Sequence, residues 1–396
     1  MIGWGRRATR WALACIALAI VACETTPPPP KLVLTPARFE DLPGWSADRH
    51  GEGLAALQRS CARILNLPNY QQVGPAGFAR PVAVWRAPCE QALRLDTSDH
   101  VAARAFLEGA FAPFAATDNE APEGLFTGYY EPELRGSRAP GGRYRVPLHG
   151  KPADLVTVDL ALFKPEWRGQ RITGRLDNGT LKPYPTRAEI EAGALRDARS
   201  EIVWVDDAVD AFFLQVQGSG RILFEDGSMM RVGYAAQNGH PYVAIGRELI
   251  ARGALTRETV SMQSIRAWLA ANPAEAASVM NLNPSYVFFR PLDGDGPLGS
   301  EGVVLTPGRS LAVDRAFLAM GLPLWLDAED PLDPALRLRQ LVVAQDTGGA
   351  IRGPVRGDLF WGHGPEAAER AGRMRSRGRY WILLPRAEPT TVAGAQ

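Results

Sequence analysis

The first third of the chain places apolar side chains at helical spacing. Apolar residues recur three and four positions apart over residues 54–57 and 61–65, as they do on the buried face of an amphipathic helix. A further helix is predicted over residues 98–107, with polar residues suited to capping at its start and Gly109 at its end. Residues from about 35 to 120 are therefore predicted to be largely helical.

Short β-branched and aromatic runs replace this pattern between residues 125 and 230. They alternate with Gly, Pro, Asp-Asn-Gly and Asp-Gly turns, as strands joined by tight turns do. Residues 221–225 and 228–232 flank an Asp-Gly pair and predict a β-hairpin. The run AFFLQVQGSG, residues 211–220, is predicted as a strand, and one helix is predicted near residues 187–195.

Two more helical segments and a second group of strands follow. Residues 243–252 and 256–271 predict helices, the second with Thr256 as its N-cap. The later runs SYVFFRPL, SLAVDRAFL, LPLWLDA, RQLVVAQDTGGAI and RYWILLP predict strands. This order of helices, strands, helices and strands predicts an α+β chain, mainly β, with one β-rich domain inserted into another.

The N-terminus has the form of an export signal. Three arginines within the first ten residues precede an apolar run over residues 11–22. That run is shorter than the roughly 20 residues that a stable membrane-spanning helix needs. Residues 1–22 are therefore predicted to be a secretory signal peptide, removed from the mature chain.

The end of this signal predicts a lipid anchor. Residues 20–23, Ile-Val-Ala-Cys, resemble the lipobox of bacterial lipoproteins, which makes Cys23 the expected lipidation site; the alternative is an ordinary signal with an incidental cysteine. Glu24 follows, where an aspartate would indicate retention in the inner membrane, so an outer-membrane lipoprotein facing the periplasm is expected. Residues 23–34 would form a Pro-rich tether between the lipid and the folded chain.

Composition excludes some functions. The 396 residues suffice for about two domains, and 44 Lys and Arg against 43 Asp and Glu give no basic excess for nucleic acid. Cys61 and Cys89 could form a disulfide in an oxidising compartment or remain buried free thiols, and the bridge is the working hypothesis. The five histidines are scattered without metal-ligand spacing, so neither a metal nor another cofactor is expected.

The sharpest chemical signal is Asp346. An apolar strand runs into Gln-Asp-Thr and is followed by Gly348 and Gly349, which allow a tight bend and a close approach of backbone to a ligand. A carboxyl group at the end of a strand is held rigidly, and burial beside apolar residues would raise its pKa toward that of a general acid. The alternative is an Asx-turn in which Asp346 caps its own loop.

Two further aspartates could belong to the same site. Asp358 lies downstream in GDLFWG, and Asp314 lies upstream in LAVDR. All three aspartates stand near strand edges and could form one proton-exchanging group. Asp314 could equally pair with Arg315 or cap a turn. Phe360 and Trp361 could stack on a sugar or belong to the core.

Polar residues around glycines mark the middle region as well. Thr127, Gly128 and Tyr129 lie in FTGYYEP, and Gln217 and Ser219 lie in QVQGSG. Their side chains can hydrogen-bond sugar hydroxyls and amides, and the glycines leave the backbone accessible. Each motif by itself is also consistent with an ordinary strand or turn.

Together these segments resemble the membrane-bound lytic murein transglycosylase A family from about residue 125 to 385. The blocks that carry the resemblance are FTGYYEP, DAFFLQVQGSGRI, VGYAAQNGHPYVAIGREL, NPSYVFFR, SLAVDR and QDTGGAIRGPVRGDLFWGHGPEAAERAGRM. The last block is similar to the "3D" region of that family, which is named for three aspartates, matched here by Asp314, Asp346 and Asp358. Residues before 120 match less clearly.

The resemblance implies a two-domain fold with a large groove between the domains. A double-psi β-barrel, with the N-terminal helices and the 3D region, would comprise residues 35–132 and 254–386. The smaller β domain would be inserted as residues 133–253, and residues 387–396 would form a tail.

The resemblance also implies an activity and residue roles. The expected activity is non-hydrolytic cleavage of peptidoglycan between MurNAc and GlcNAc, with formation of 1,6-anhydroMurNAc. Asp346 would be the catalytic acid, supported by Asp358 and Asp314. The expected glycan-binding residues are Thr127, Gly128, Tyr129, Gln217, Ser219 and Gly349. Glycan strands, the outer membrane and proteins of cell-wall synthesis or scaffolding are the expected partners, and nucleic acid is not.

Three other activities are weighed against this expectation. An aspartic protease also uses Asp-Thr-Gly, but a single-chain enzyme needs two such triplets and this chain has one. A hydrolytic muramidase would share the groove and the substrate. A non-catalytic wall-binding protein would share the barrel. The product distinguishes them: an anhydro end, a reducing end or no cleavage.

Overall fold

The computed structural model describes residues 28–386 except 76, 168 and 295. The predicted signal peptide, Cys23 and the tail at 387–396 lie outside the described residues. Within the described part of the chain, no helix combines the length and apolar character needed to cross a membrane.

Nineteen strands form the framework of the described residues. In chain order they are β1 (Leu32–Pro36), β2 (Gln72–Val73), β3 (Arg80–Pro81), β4 (Phe111–Asp118), β5 (Gly124–Glu131), β6 (Glu133–Ser137), β7 (Val146–His149), β8 (Leu155–Asp159), β9 (Arg171–Asp177), β10 (Thr180–Pro183), β11 (Glu201–Val205), β12 (Ser219–Phe224), β13 (Met229–Gln237), β14 (Val287–Leu292), β15 (Ser310–Ala312), β16 (Pro323–Glu329), β17 (Arg337–Asp346), β18 (Arg356–His363) and β19 (Arg375–Pro385). The α+β class, mainly β, is confirmed.

Nine α-helices accompany these strands in the described residues. They are α1 (His50–Ile64), α2 (Val82–Arg94), α3 (His100–Ala110), α4 (Arg187–Glu189), α5 (Ala208–Gln217), α6 (Ile245–Ala251), α7 (Met262–Ala271), α8 (Pro273–Met280) and α9 (Pro365–Arg373). A π-helical turn, Ile190–Ala194, continues α4. The predicted helices near the N-terminus and near residue 187 are therefore present.

Six strands close into a barrel. The order β19-β16-β17-β15-β18-β5 returns to β19, because β5 pairs with both β18 and β19. Strands β1 and β4 extend the same sheet outside the ring. The barrel interior and the N-terminal helices share one large apolar core.

Helix α1 packs directly on β17. A Cβ atom at Gly53 would lie 2.7 Å from the Leu341 side chain, so only glycine allows this approach. Cys61 of α1 and Cys89 of α2 form a disulfide with Cα atoms 4.9 Å apart. The hypothesis of a bridge is thus confirmed, and it fastens the helices that cover the barrel.

A second sheet is built from the middle of the chain. Its strands follow the order β14-β13-β12-β6-β11-β7, and the predicted hairpin is confirmed by the antiparallel pairing of β12 with β13. β14 pairs with β13 over residues 287–292. The inserted sheet therefore extends past the boundary expected at residue 253, because its last strand returns after α6, α7 and α8.

The predicted strand over residues 211–220 is mostly wrong. Residues 208–217 form α5, which Asp207 caps by accepting hydrogen bonds from the amides of Val209 and Asp210. Gly218 ends the helix at φ 82°. Apolar side chains of α5 are buried on two opposite sides, in separate clusters, so the sequence lacks the polar stripe by which a surface helix is recognised.

Three smaller predictions also change. α7 begins after Ser261, whose side chain caps it, and not after Thr256. α3 is capped by Asp99, so it starts later than residue 98. The predicted strand SLAVDRAFL is limited to Ser310–Ala312, because the chain turns at Asp314, where the side chain accepts from the amide of Ala316.

Candidate active site

Asp346 ends β17, and its carboxyl group accepts three hydrogen bonds. Its Oδ1 accepts from the backbone amides of Ser300 and Thr347, both at 2.8 Å. Its Oδ2 accepts from the Tyr129 hydroxyl at 2.9 Å. Two of these donors lie far from Asp346 in sequence, so the group is held by three separate segments of the fold.

A second carboxyl group, that of Asp358, lies on β18. It accepts from the Thr127 hydroxyl at 2.6 Å. Thr127 in turn accepts from the guanidinium of Arg356 at 2.8 Å. Thr127 and Asp358, predicted separately as a glycan-binding residue and a supporting aspartate, thus form a chain of charge-assisted contacts with Arg356 on one face of β5 and β18.

The register of the barrel aligns these residues in one row. Ala312 of β15 pairs with Asp346 on one side and with Asp358 on the other, and Asp358 pairs with Thr127. Only the methyl group of Ala312 separates the two aspartates across the sheet. Neighbouring strands lie about 4.8 Å apart, so the two Cα atoms are roughly 10 Å from each other.

Burial governs the acidity of both aspartates. It raises the pKa of Asp346, while the hydrogen bonds from Ser300, Thr347 and Tyr129 oppose that rise. Burial also raises the pKa of Asp358, and Asp346 adds to the rise, whereas Thr127 and Arg356 lower it. A raised pKa keeps part of the carboxyl population protonated at a pH where an exposed aspartate would be ionised.

Tyr129 serves as a neutral donor. Burial and the nearby Asp346 raise the pKa of its phenol well above the ordinary value. Its ring packs against Phe360, with ring centroids 5.2 Å apart. Phe360 is buried. It therefore belongs to the core and is not a surface on which a sugar could stack.

Asp314 lies outside the row of the other two aspartates. Its carboxylate accepts from the amides of Ala316 and Gly353, at 3.0 and 2.8 Å, and Arg352 approaches it at 3.9 Å. The turn-capping alternative is therefore observed. Asp314 ties the loop that follows Asp346 to the turn after β15, which is a positioning role.

The two predicted glycines differ in what surrounds them. A Cβ atom at Gly128 would lie 2.6 Å from Nε1 of Trp361, so the indole occupies the space beside this residue and leaves no room there for a ligand. Gly349 is exposed, and nothing lies within 4 Å of a Cβ atom built on it. Of the two predicted glycines, Gly349 is the one with open space beside it.

Gln217 and Ser219 lie at the junction of the two sheets. Gln217 is the last residue of α5, not part of a strand, and its side-chain oxygen accepts from the backbone amide of Tyr130 at 3.0 Å. Ser219 is buried at the start of β12. Gln217 therefore connects α5 to β5, the strand that carries Thr127 and Tyr129.

Two site residues were missed by the sequence analysis. Ser300 supplies an amide to Asp346, and its neighbour Glu301 is buried, with Oε2 accepting from Ser60 at 2.7 Å. Burial raises the pKa of Glu301 to about 7. Their segment, DGDGPLGSEG, shows only turn-forming composition, and no local pattern reveals that its amide reaches a distant strand end.

The site contains no cluster of metal ligands. Throughout the described ranges, no three His, Cys, Asp or Glu side chains come together in a way that could hold an ion. The chemistry available from the residues present is proton exchange by a half-buried carboxyl group, with hydrogen-bond donors arranged to stabilise its ionised form.

A closed barrel with an inserted β domain and a half-buried, hydrogen-bonded carboxyl group is suited to acid–base catalysis. Two family comparisons agree in position: residues 125–290 match the MltA specific insert domain and residues 309–384 match the 3D domain. The chain belongs to the membrane-bound lytic murein transglycosylase A family.

Individual relatives support this assignment. A membrane-bound lytic murein transglycosylase A of Vibrio cholerae is 35% identical over 68% of this chain and 68% of its own length. The Escherichia coli protein of that name is 37% identical over 65% of each chain. The chain thus spans about two thirds of the length of these relatives.

Solved structures extend the match to most of the chain. A membrane-bound lytic murein transglycosylase from Agrobacterium tumefaciens shows 36% identity and a TM-score of 0.78, covering 89% of this chain and 97% of that one. MltA from Neisseria gonorrhoeae shows 33% identity and a TM-score of 0.74 over 90% and 92%. Escherichia coli MltA with bound chitohexaose shows 29% identity and a TM-score of 0.63 over 90% and 92%.

Proposed function

We propose that this protein is a lytic transglycosylase that cleaves the β-1,4 bond between MurNAc and GlcNAc of peptidoglycan. The observation that carries the proposal is the carboxyl group of Asp346, which is half-buried, raised in pKa and held by Tyr129, Ser300 and Thr347. Such a group can donate a proton and then exist as a stabilised carboxylate. The names of the relatives supply the substrate class.

One carboxyl group suffices for this reaction. Protonated Asp346 donates its proton to the glycosidic oxygen, and the bond between that oxygen and C1 of MurNAc breaks. The O6 hydroxyl of the same sugar attacks C1, and its proton passes to the Asp346 carboxylate. The nucleophile is intramolecular, so its effective concentration is high and no activated water is required.

The three donors to Asp346 act mainly on the ionised state. After the first proton transfer the carboxylate keeps its hydrogen bonds from Ser300, Thr347 and Tyr129, which lower its free energy without any rearrangement. Asp358 lies nearby in the same row, and the charge of Asp346 helps to raise the pKa of Asp358, so the two carboxyl groups oppose each other's ionisation. We assign Asp358 a supporting role and Asp314 a positioning role.

Glycan binding is assigned to residues around this row. Thr127 and Tyr129 contact the aspartates, Gly349 has open space beside it, and Gln217, followed closely by Ser219, reaches the backbone of Tyr130 from α5. A relative with 29% identity is known with bound chitohexaose, an oligomer of N-acetylglucosamine. A groove between the barrel and the inserted domain is the proposed location of the glycan strand.

A hydrolytic muramidase is the second candidate. The observation that favours it is the pair of Asp346 and Asp358 on strands flanking β15, since inverting hydrolases use two carboxyl groups that are roughly 6.5–9.5 Å apart. Asp358 is already engaged by Thr127 and lies close to Arg356, which favours a supporting role over activation of water.

The product decides between the two activities. Purified sacculi are digested with the protein, and the soluble fragments are analysed by mass spectrometry. We expect fragments that end in 1,6-anhydroMurNAc. Reducing MurNAc ends, heavier by one water, would establish the muramidase instead, and absence of any cleavage would indicate a non-catalytic wall-binding protein.

Localisation follows from the sequence and the family. We propose that Cys23 is lipidated and that the Pro-rich tether lets the folded chain reach peptidoglycan from the outer membrane. The relatives are named as membrane-bound. Proteins of cell-wall synthesis or scaffolding are the proposed protein partners.

A further inference from the structure

A cavity in the inserted region lies beside the active site. It has a volume of about 560 Å³, which is within the range of sites for small organic ligands. Its apolar wall comes from α5, α6 and α7 and the segment before α7, including Phe212, Phe213, Ile245, Val260 and Ile265. None of the residues assigned to acid–base chemistry lines it.

Three arginines line the same cavity. Arg247, Arg257 and Arg375 are exposed, and the Arg375 guanidinium donates to the backbone carbonyl of Arg257 at 2.8 Å. Glu258 is near enough for Arg257 and Arg375 to lower its pKa, but its first partner is Thr256. The cavity therefore combines an apolar wall with an excess of positive charge, three arginines near one glutamate.

Strand pairing places this cavity next to the row of site residues. Arg375 of β19 is paired directly with Thr127 of β5, and Thr127 is paired with Asp358. Directly paired residues project from the same face of a sheet, and neighbouring strands are about 4.8 Å apart. Val216, which also lines the cavity, precedes Gln217.

A bare glycan strand does not explain these arginines. The sugars of peptidoglycan are uncharged where a peptide is attached to the lactyl group of MurNAc, and the negative charge belongs to the peptide. Guanidinium groups recognise carboxylates through paired hydrogen bonds. An apolar wall suits methyl groups such as those of alanine, so an acidic, alanine-containing peptide complements both features of the cavity.

We propose that this cavity binds the stem peptide attached to the MurNAc residue at or next to the cleavage site, with Arg247, Arg257 and Arg375 holding its carboxylates. The inference rests on the proposed function and adds a specificity determinant to it. Peptide-bearing glycan then binds through two sites, the groove and the cavity. Peptide-free glycan binds through the groove alone.

The test compares two substrates with the full-length protein. One is intact sacculi, and the other is the same glycan strands after an amidase has removed the peptides. The variant is Arg247→Gln/Arg257→Gln/Arg375→Gln. The control, Arg94→Gln/Arg135→Gln/Arg290→Gln, changes three exposed arginines that do not line the cavity and so alters net charge equally.

We expect kcat/KM of the cavity variant to fall at least tenfold on peptide-bearing glycan and to change less than twofold on peptide-free glycan. The control should retain both rates. The difference between the cavity variant and the unsubstituted protein on peptide-bearing glycan should shrink at high salt, because salt screens exposed charges. An equal loss on both substrates by a variant whose thermal unfolding matches that of the unsubstituted protein, or no loss on either substrate, overturns the inference.

Failure of the proposed function looks different. In that case the unsubstituted protein releases no anhydro product from either substrate. Activity on peptide-free glycan also serves as the folding control, because a misfolded variant loses it. Thermal unfolding of the three proteins provides an independent check of the same point.

Discussion

Tyr129 donates its phenolic hydrogen to Oδ2 of Asp346 at 2.9 Å, although the two residues lie on β5 and β17, with β15 and β18 between them. The contact joins opposite parts of the barrel wall, and Tyr129 is buried. A hydroxyl that donates to a carboxylate stabilises its charged form. Tyr129 therefore determines, together with Ser300 and Thr347, how far burial can raise the pKa of the acid.

The first prediction concerns Tyr129→Phe. Loss of the hydroxyl removes a hydrogen bond that lowers the pKa of Asp346, so the pKa rises further. The acid stays protonated to higher pH, and the alkaline fall of kcat/KM should shift upward by about one unit, the order expected for one hydrogen bond to a charged group. The measurement is the pH dependence of anhydromuropeptide release.

Tyr130→Phe is the matched control for this shift. Tyr130 is the next residue of β5 and is equally buried, but its phenol interacts with Arg266 and Asp210 rather than Asp346. Its variant should keep the alkaline limb of the wild-type profile. A profile of Tyr129→Phe that overlays the wild type would show that the hydroxyl does not act on the catalytic proton.

Asp346→Asn should abolish lysis while the fold and glycan binding are retained. The amide oxygen can still accept from Ser300 and Thr347, and the new NH₂ group can donate to the Tyr129 oxygen, so the local hydrogen bonds survive. Only proton exchange is lost. General acid–base catalysis typically contributes about 10²–10⁴ in rate, and release of anhydromuropeptides should fall accordingly.

Asp358→Asn is the companion variant and should be milder. It removes a neighbouring carboxyl group whose pKa Asp346 raises, but it leaves the proton donor in place. Sedimentation with sacculi measures binding on the same preparations. If Asp346→Asn kept a tenth of the wild-type rate, or if only Asp358→Asn lost all activity, Asp346 would not be the acid.

Glu301 should make folding stability depend on pH. Burial raises its pKa from 4.5 to about 7, so the folded state resists ionisation. The stabilisation that the protonated group contributes to the free energy of unfolding is fully present below pH 4.5 and is lost as the pH rises through 7. The loss is about 3 kcal/mol, at about 1.36 kcal/mol per pKa unit. Chemical unfolding at pH 5 and pH 8 should therefore show Glu301→Gln gaining relative stability at pH 8.

The equally buried Glu131 provides the contrast. It pairs with Arg221 at 2.8 Å and lies 3.7 Å from Arg231. Glu131→Gln should lose stability at pH 8, because it leaves two largely buried guanidinium groups without their charge partner. Equal behaviour of the two variants would mean that Arg63, at 3.6 Å, compensates the buried charge of Glu301.

Reduction of the Cys61–Cys89 disulfide should lower stability and leave the chemistry intact at low temperature. The bridge closes a loop with a sequence separation of 28, for which typical contributions are about 2–4 kcal/mol. Cys61→Ser/Cys89→Ser should show a lower Tm, and the wild type in reductant should match it. Detection of two free thiols in periplasmic protein would contradict the bridge.

Membrane attachment should depend on Cys23, which lies outside the described residues. Cys23→Ala removes the thiol to which lipid would be attached, so the protein should appear unprocessed or in the soluble fraction. Cys15→Ala changes a cysteine within the predicted signal and should fractionate with the membrane as the wild type does. Normal membrane recovery of Cys23→Ala would exclude the proposed anchor.

The sequence by itself identified the strand that ends at Asp346 and the hairpin around Asp226-Gly227. Both depend on neighbouring residues: apolar alternation, β-branched side chains and a turn that Gly permits. It also identified Asp358, because the 3D resemblance covers a continuous block. The same local reasoning failed for α5, whose apolar residues meet two separate cores and therefore show no polar stripe.

Only the tertiary structure decided what surrounds Asp346. The amide of Ser300, the hydroxyl of Tyr129 and the alignment of Asp346 with Ala312 and Asp358 come from segments distant in sequence. The Trp361 indole fills the space beside Gly128, and this contact too joins segments that are distant in sequence. The local sequence pattern indicates which backbone conformation a segment prefers and which of its faces is buried. The register between strands is set when the barrel closes around its core, and no single segment encodes that register.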